Sequence, residues 1–271
     1  MGLRINTNVS ALNAARTLQR STLSLNKSLQ RLSSGLRINQ AADDAAGLAI
    51  AEGFRSVVRG SQVSQRNAQD GVSLVQTAEG ALSETTNILQ RIRELAVQAS
   101  NGTQSTNNRT ALHTEVRQLL AQIDDIALDT QFNGINVLSS SQTVTLQTGA
   151  FTSQTLNVSV QGAKTSDLKV SPVAVSTYVL AVSAISTIDN ALQSVNSLRS
   201  TLGAFQNRLE FTINTLAIQE ENSAAAESVI RDADIAQETI QFTRNQILVS
   251  AGTSVLAQAN VTPQTALQLL G

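Results

Sequence analysis

The sequence predicts a mainly α protein, with long antiparallel helical rods, a terminal coiled coil and a small β-hairpin region. Three observations carry this. Apolar side chains recur every seventh residue over three long stretches. Aromatics make up 3% of the chain and Trp is absent, so Ala, Leu, Ile and Val must build the core, which suits thin helical bundles. One interval, after Phe132-Asn133-Gly134, replaces the heptad step by strand-like alternation.

Composition narrows the function. The chain has 271 residues and a net charge of −1, which excludes a strongly basic nucleic-acid binder. Without cysteine there is no disulfide, thiol nucleophile or Cys-based zinc site. No apolar run is long enough for a secretory signal or a membrane span, and Asn6 stands where an N-myristoylation motif needs Ser or Thr. Charged residues are only 14%, less than long solvated helices carry, so many polar faces should meet protein.

Thr7 to Leu32 reads as a helix. Ala15, Thr22 and Leu29 interleave with Ala11, Leu18, Leu25 and Leu32 in 3–4 spacing, and Gly35 offers a left-handed cap. Leu36 to Ala42 is a connector, and Asp43-Asp44 suits the positive end of the next helix. Ala45 to Ala99 carries two heptad lines. Phe54, Ser61, Ala68, Val75, Leu82, Leu89 and Ala96 form the first; Ile50, Val57, Ser64, Gly71, Ala78, Thr85, Ile92 and Ala99 form the second. At about 1.5 Å per residue such a helix is on the order of 80 Å long. Gly53, Gly60, Gly71 and Gly80 each weaken it by about 1 kcal/mol relative to Ala, which close helix approach explains.

Ser100-Asn101-Gly102 ends that helix. A shorter one follows, with Leu112, Val116, Leu119, Ile123 and Ile126 on one face, expected to fold back antiparallel. In the hairpin region Val144 and Leu146, then Leu156, Val158 and Val160, alternate with polar residues. The helical period returns after Pro172, with Ile188, Val195, Leu202, Leu209 and Leu216 at seven-residue steps, as far as about Glu221. Ala224-Ala225-Ala226 then offers little packing specificity.

From Asn245 to Gly271 there is no charged residue and no His. Leu248, Val255, Thr262 and Leu269 form a heptad line, but Ile247, Val249, Leu256, Ala259 and Leu267 lie off it. A helix apolar on several sides must be buried on several sides. Its Ser, Asn and Gln content excludes a lipid environment, so the stretch fits the interior of a many-chain assembly. The expected polymerisation core is Leu18, Leu25, Leu29, Leu32, Ile247, Leu248, Val255, Leu256 and Leu269. The expected organisation is a terminal coiled coil from residues 1–35 and 234–271, connectors 36–44 and 222–233, and a rod domain 45–221. That domain should hold helices 45–99, 106–128 and 177–221 with a β-hairpin region at 133–172.

Catalytic patterns are missing. His113 is the lone imidazole and reads as solvated or partner-facing. Asp124-Asp125 reads as a solvated face, since neighbours at i and i+1 on a helix diverge. HExxH, GxxxxGK[ST] and GxGxxG do not occur. The chain is therefore expected to be no enzyme and to need no cofactor.

Several segments resemble bacterial flagellin: RINTNVSALNA, LSSGLRINQAADDAAGLAIAEGFRS, NAQDGVSLVQTAEGAL, QRIRELAVQ and TQFNGINVL, then AGTSVLAQAN followed by Pro263. The resemblance covers about residues 2–138 and 183–271. Residues 139–175 are far shorter than the outer domains many flagellins insert there, so a minimal subunit is implied. The resemblance implies a secreted subunit that polymerises with itself into the extracellular filament, after unfolded export through the flagellar type III channel. It further implies an export chaperone, a filament cap, hook-junction proteins and, in animal hosts, the flagellin-sensing Toll-like receptor as partners. The family's receptor surface includes the QRIRELAVQ stretch; Arg91, Leu95 and Glu115 match it, and in the family that surface is buried on assembly. Competing readings are a hook–filament junction protein, which shares related ends, and a cytoplasmic coiled-coil scaffold, which would carry more charge. The AGTSVLAQAN tail and QRIRELAVQ favour the filament.

Overall fold

The structure is a computed structural model and describes residues 7–268. Its elements, in chain order, are helices α1 (Val9–Ser34), α2 (Ala45–Ala99) and α3 (Thr106–Asp129), strands β1 (Gln131–Phe132), β2 (Ile135–Asn136), β3 (Gln142–Gln147) and β4 (Thr155–Val160), then helices α4 (Tyr178–Arg231) and α5 (Ile235–Gln268). The chain divides into a terminal unit, Met1–Ser56 with Asn222–Gly271, and a middle unit, Val57–Glu221. Residues 45–56, which the sequence reading puts with the rod, group with the termini.

Each helix begins where a short polar side chain takes an orphan amide. Asn8 accepts from Ala11 N at 3.0 Å, Asp44 from Gly47 N at 2.9 Å, and Ser105 from Asn108 N at 3.2 Å. Asp234 accepts from Ala236 N and Gln237 N at the start of α5. Each such cap stabilises by about 1 kcal/mol. Gly35 ends α1 at φ 71°, its N–H donating to Arg31 O at 2.8 Å.

In the middle unit, α3 and α4 both run antiparallel to α2. Arg93 meets Asp189, Glu79 meets Arg199, and Gln65 meets Glu220, so α4 descends as α2 rises. Arg109 reaches Ala99 O and Arg91 meets Glu115, which sets α3 the same way. The heptad residues form the core: Ala68, Val75, Leu82, Leu89, Ile92, Ala96 and Ala99 from α2, and Ile188, Val195, Leu202, Leu209 and Leu216 from α4, are all buried. Because α2 is covered on more than one side, its buried stripe widens to include Leu74 and Leu95.

Asn133 (φ 49°) and Gly134 (φ 78°) make the two-residue turn joining β1 to β2. β3 and β4 form a second hairpin, in register from Gln142 opposite Val160 to Gln147 opposite Thr155. Leu156, Val158 and Val160 face the core. This hairpin lies against α2 along Gly60, Asn67 and Gly71: Asn67 Nδ2 donates to Gln147 O at 3.0 Å, Gly60 abuts Ala150, and Gly71 abuts Leu146. Gly60 and Gly71 thus serve close approach, chiefly to the hairpin, with Leu209 of α4 also near Gly71. Gly53 and Gly80 have open space beside them, so close approach within the subunit does not explain them.

Three expectations are corrected. α4 continues through the Ala224–Ala226 run to Arg231, where the sequence reading ends it near Glu221; Ala is a strong helix former and needs no packing stripe. The connector shrinks accordingly to residues 232–234. Strands stop at Val160, and residues 161–172 are irregular though partly buried. Asp124 is no freely solvated side chain: its carboxylate accepts from Thr165 N at 2.8 Å and from Thr165 Oγ1, pinning that irregular segment to α3. His113 is half-buried, with Nδ1 shielded from solvent.

Candidate self-assembly surface

In the terminal unit α1 and α5 pack antiparallel. Asn8 Nδ2 donates to Ala259 O at 2.7 Å, Arg31 pairs with Glu238 at 3.5 Å, and Gly252 lies against Leu18 between them. A Cβ on Gly252 would stand 3.2 Å from Leu18 Cδ1, so glycine lets the helices approach here. Among the expected core residues, Leu18, Leu25, Leu32 and Leu256 are half-buried. Leu29 (55% exposed), Ile247 (62%), Leu248 (48%) and Val255 (58%) are open to solvent. Leu269 lies outside the described residues.

The pair therefore leaves apolar faces uncovered. On α1 these include Leu12, Leu23 and Leu29; on α5 they include Ile240, Ile247, Leu248, Val255 and Val261. Ile240, Ile247 and Leu248, with Thr239, Thr243 and Arg244, line an open, largely apolar groove. Fully burying one such side chain is worth about 1.5–3 kcal/mol. A run of this extent is more than the scattered apolar exposure of a soluble monomer.

The two connectors are joined. Leu36 and Asp232 form an antiparallel bridge, Arg37 N donates to Arg231 O at 2.7 Å, and Ala233 N donates to Gly35 O at 3.0 Å. Arg37 also bonds Ile230 O through its guanidinium. Arg231 ties this joint to α2 through Glu52 at 2.8 Å. Ile38 is 1% exposed, the largest apolar anchor of the connector. Asp43 accepts from Asn39 N and Gln40 N and pairs with Lys27 at 2.7 Å, so it serves the connector and not the dipole of α2. The Lys27 hydrogen bond, helped by those backbone amides, holds the Asp43 carboxyl down at about 2 against a desolvation effect that raises it. Ile38 and Arg231 escaped the sequence reading, which placed Asp43 at the start of α2 and not in the connector. The alternation of Leu36 and Ile38 was the only local signal.

In the middle unit Arg91 bonds Glu94 at 3.0 Å and Glu115 at 3.0 Å on an exposed surface. Glu94, then Glu115, raises the Arg91 pKa above its ordinary value. Leu95 is 1% exposed and packs in the core, so it is not on the surface that Arg91 and Glu115 share. That corrects its assignment as a surface residue; it belongs to the buried core of the middle unit. Among the described residues no cluster of His, Cys, Asp or Glu could hold a metal ion, and no helix is long and apolar enough to cross a membrane.

Residues 5–143 match the bacterial flagellin N-terminal helical region, and residues 185–270 match the bacterial flagellin C-terminal helical region. The chain is 47% identical to a flagellin of Halalkalibacterium halodurans over 269 residues, covering 98% of this chain and 99% of that protein. It is 45% identical over 284 residues to the flagellar filament 31.3 kDa core protein of Treponema maltophilum, again covering 98% and 99%. In three dimensions it is similar to a putative flagellar hook-associated protein from Vibrio parahaemolyticus, with a TM-score of 0.58 over 70% of this chain and 99% of that one. At 10% identity that last likeness is one of fold alone. Two ends that match in order, and relatives spanned over nearly their whole length, show that the chain belongs to the bacterial flagellin family.

Proposed function

We infer that the chain is a structural subunit that polymerises with itself into the bacterial flagellar filament and so serves swimming motility. The observation that carries this is the pair α1–α5, whose apolar side chains exceed what the pair itself covers. Neighbouring copies would cover Leu29, Ile247, Leu248 and Val255. The extracellular filament is the location the family implies. The matches to flagellins and filament core proteins favour this reading over a hook–filament junction protein. Electron microscopy of the purified chain under polymerising conditions tests it: long tubes are expected, and discrete oligomers only would overturn it.

The family also supports an export chaperone, a filament cap and hook-junction proteins as partners, with type III export of the unfolded chain. An animal Toll-like receptor is a further partner, read on Arg91 and Glu115. Their shared exposed position supports a contact made by the free subunit. Replacing Arg91 by Glu places three acidic side chains together and should reduce receptor signalling by monomer. A cell reporter comparing the two monomers checks this; equal signalling would remove Arg91 from the contact.

A further inference from the structure

We propose that Asn101-Gly102, in the turn between α2 and α3, is a self-modifying site. There Asn101 loses its side-chain amide through a cyclic imide. The reaction is general to Asn-Gly: the glycine amide gives up its proton to solvent base, its nitrogen bonds to the Asn Cγ, and ammonia leaves. Water then opens the ring on either side, giving aspartate or isoaspartate. The balance is one water in and one ammonia out, with no oxidant or cofactor.

The structure places a stabilising group on each atom that gains charge. The nucleophile is the nitrogen of the Asn101–Gly102 peptide, and its anion is shared with the Asn101 carbonyl oxygen. Arg109 donates to that oxygen through Nη2 at 3.0 Å, and Gln104 N donates to it at 3.1 Å. A guanidinium on the amide oxygen favours loss of the amide proton. The electrophile is the Asn101 side-chain amide, whose Oδ1 accepts from Thr103 N at 3.2 Å. Oxygen charge that grows there during attack meets a donor already in place. A Cβ added at Gly102 would find open space, and the turn is exposed, so water and base have access.

The other Asn-Gly pair is an internal control. Asn133 is also exposed, but it is held at φ 49° in a two-residue turn with Phe132 paired to Ile135. Turning its Cγ toward Gly134 N would open that hairpin. The guanidinium of Arg109 is engaged with Ala99 O and Asn101 O, at the other pair.

The test is to age the native full-length chain at mildly alkaline pH and follow both sites by peptide mass spectrometry. A parallel sample is aged in concentrated urea. Conversion at Asn101 is expected to outrun Asn133 in the native chain and to be faster there than in urea, where the two sites become alike. Arg109→Gln should slow Asn101 about tenfold, the effect of losing one charge-assisted hydrogen bond, with Asn133 unchanged. Thermal unfolding confirms that the variant remains folded. Slower conversion in the native chain than in urea would mean that the turn protects Asn101, and would overturn the proposal. So would an unchanged or faster rate in Arg109→Gln.

Discussion

Gly60 and Ala150 leave no room for a methyl group between them: a Cβ on Gly60 would stand 2.7 Å from Ala150 Cβ and 3.1 Å from its Cα. Neither atom can rotate away, so the end of the hairpin must lift. Gly60→Ala should therefore destabilise the middle unit by about 1–3 kcal/mol from overpacking, less the helix gain of about 1 kcal/mol. Gly80 has open space beside it, so Gly80→Ala should stabilise by about 0.5–1 kcal/mol. Denaturant unfolding of the two variants checks the opposite signs.

Asp124 and Thr165 form the second fastening of the middle unit. Asp124→Ala would leave the Thr165 amide without its partner in a buried residue. The expected loss is about 1–3 kcal/mol. Asp124→Asn keeps one acceptor and should cost less, and chemical denaturation of both variants ranks them.

Asp43 makes the terminal unit sensitive to acid. Its folded pKa of about 2 lies below the ordinary 3.8, so the charged form favours the folded state. That contribution is full above about pH 4 and fades as the pH falls through about 2. Asp43→Asn should be less stable than the parent at neutral pH, and the gap should close toward pH 2. Thermal melts across that window measure it.

Deleting residues 255–271 removes Val255, Leu256 and Val261 and shortens the partner of α1. The middle unit has its own core and should still unfold cooperatively, while filaments should fail to elongate. Amide exchange adds a second readout: protection in Asn245–Val261 should be low in the monomer and high in the filament, because a helix apolar on several sides frays where those sides lack cover. Normal filaments from the shortened chain would contradict the assembly reading.

Much of this was legible from residue order alone. The bounds of α2 follow from its heptad lines together with Asp44 before it and Asn101-Gly102 after it. Asn133-Gly134 marks its hairpin because only such residues tolerate two left-handed positions in a row. Burial of α2 beyond its two heptad lines was not legible, since it depends on which helices cover it; Leu95 was misplaced for that reason. Asp124 reads as a solvated face because its donor, Thr165, lies 41 positions away. Asp43 reads as a dipole partner because Lys27 reaches it only through the fold, while Asn39 and Gln40 offer backbone amides that residue type does not reveal. The stretch around Ala225 was read as a break because it lacks a packing stripe, although its helix propensity is high. The Leu36–Asp232 bridge joins segments that share no local pattern.

The hydrogen bond from Asn8 to Ala259 spans 251 positions of the chain. At equilibrium that distance costs little, because loop-closure entropy grows only logarithmically. In time it matters more. α1 is synthesised first and its partner last, so the terminal pair cannot close until the chain is finished. The middle unit draws all its partners from one continuous stretch and is under no such delay. A product broken off between Ser34 and Ile235 retains α1 but has nothing to pair with it. Closure of the ends is thus a test of completeness, and a polymer built through that pair admits full-length chains and turns fragments away.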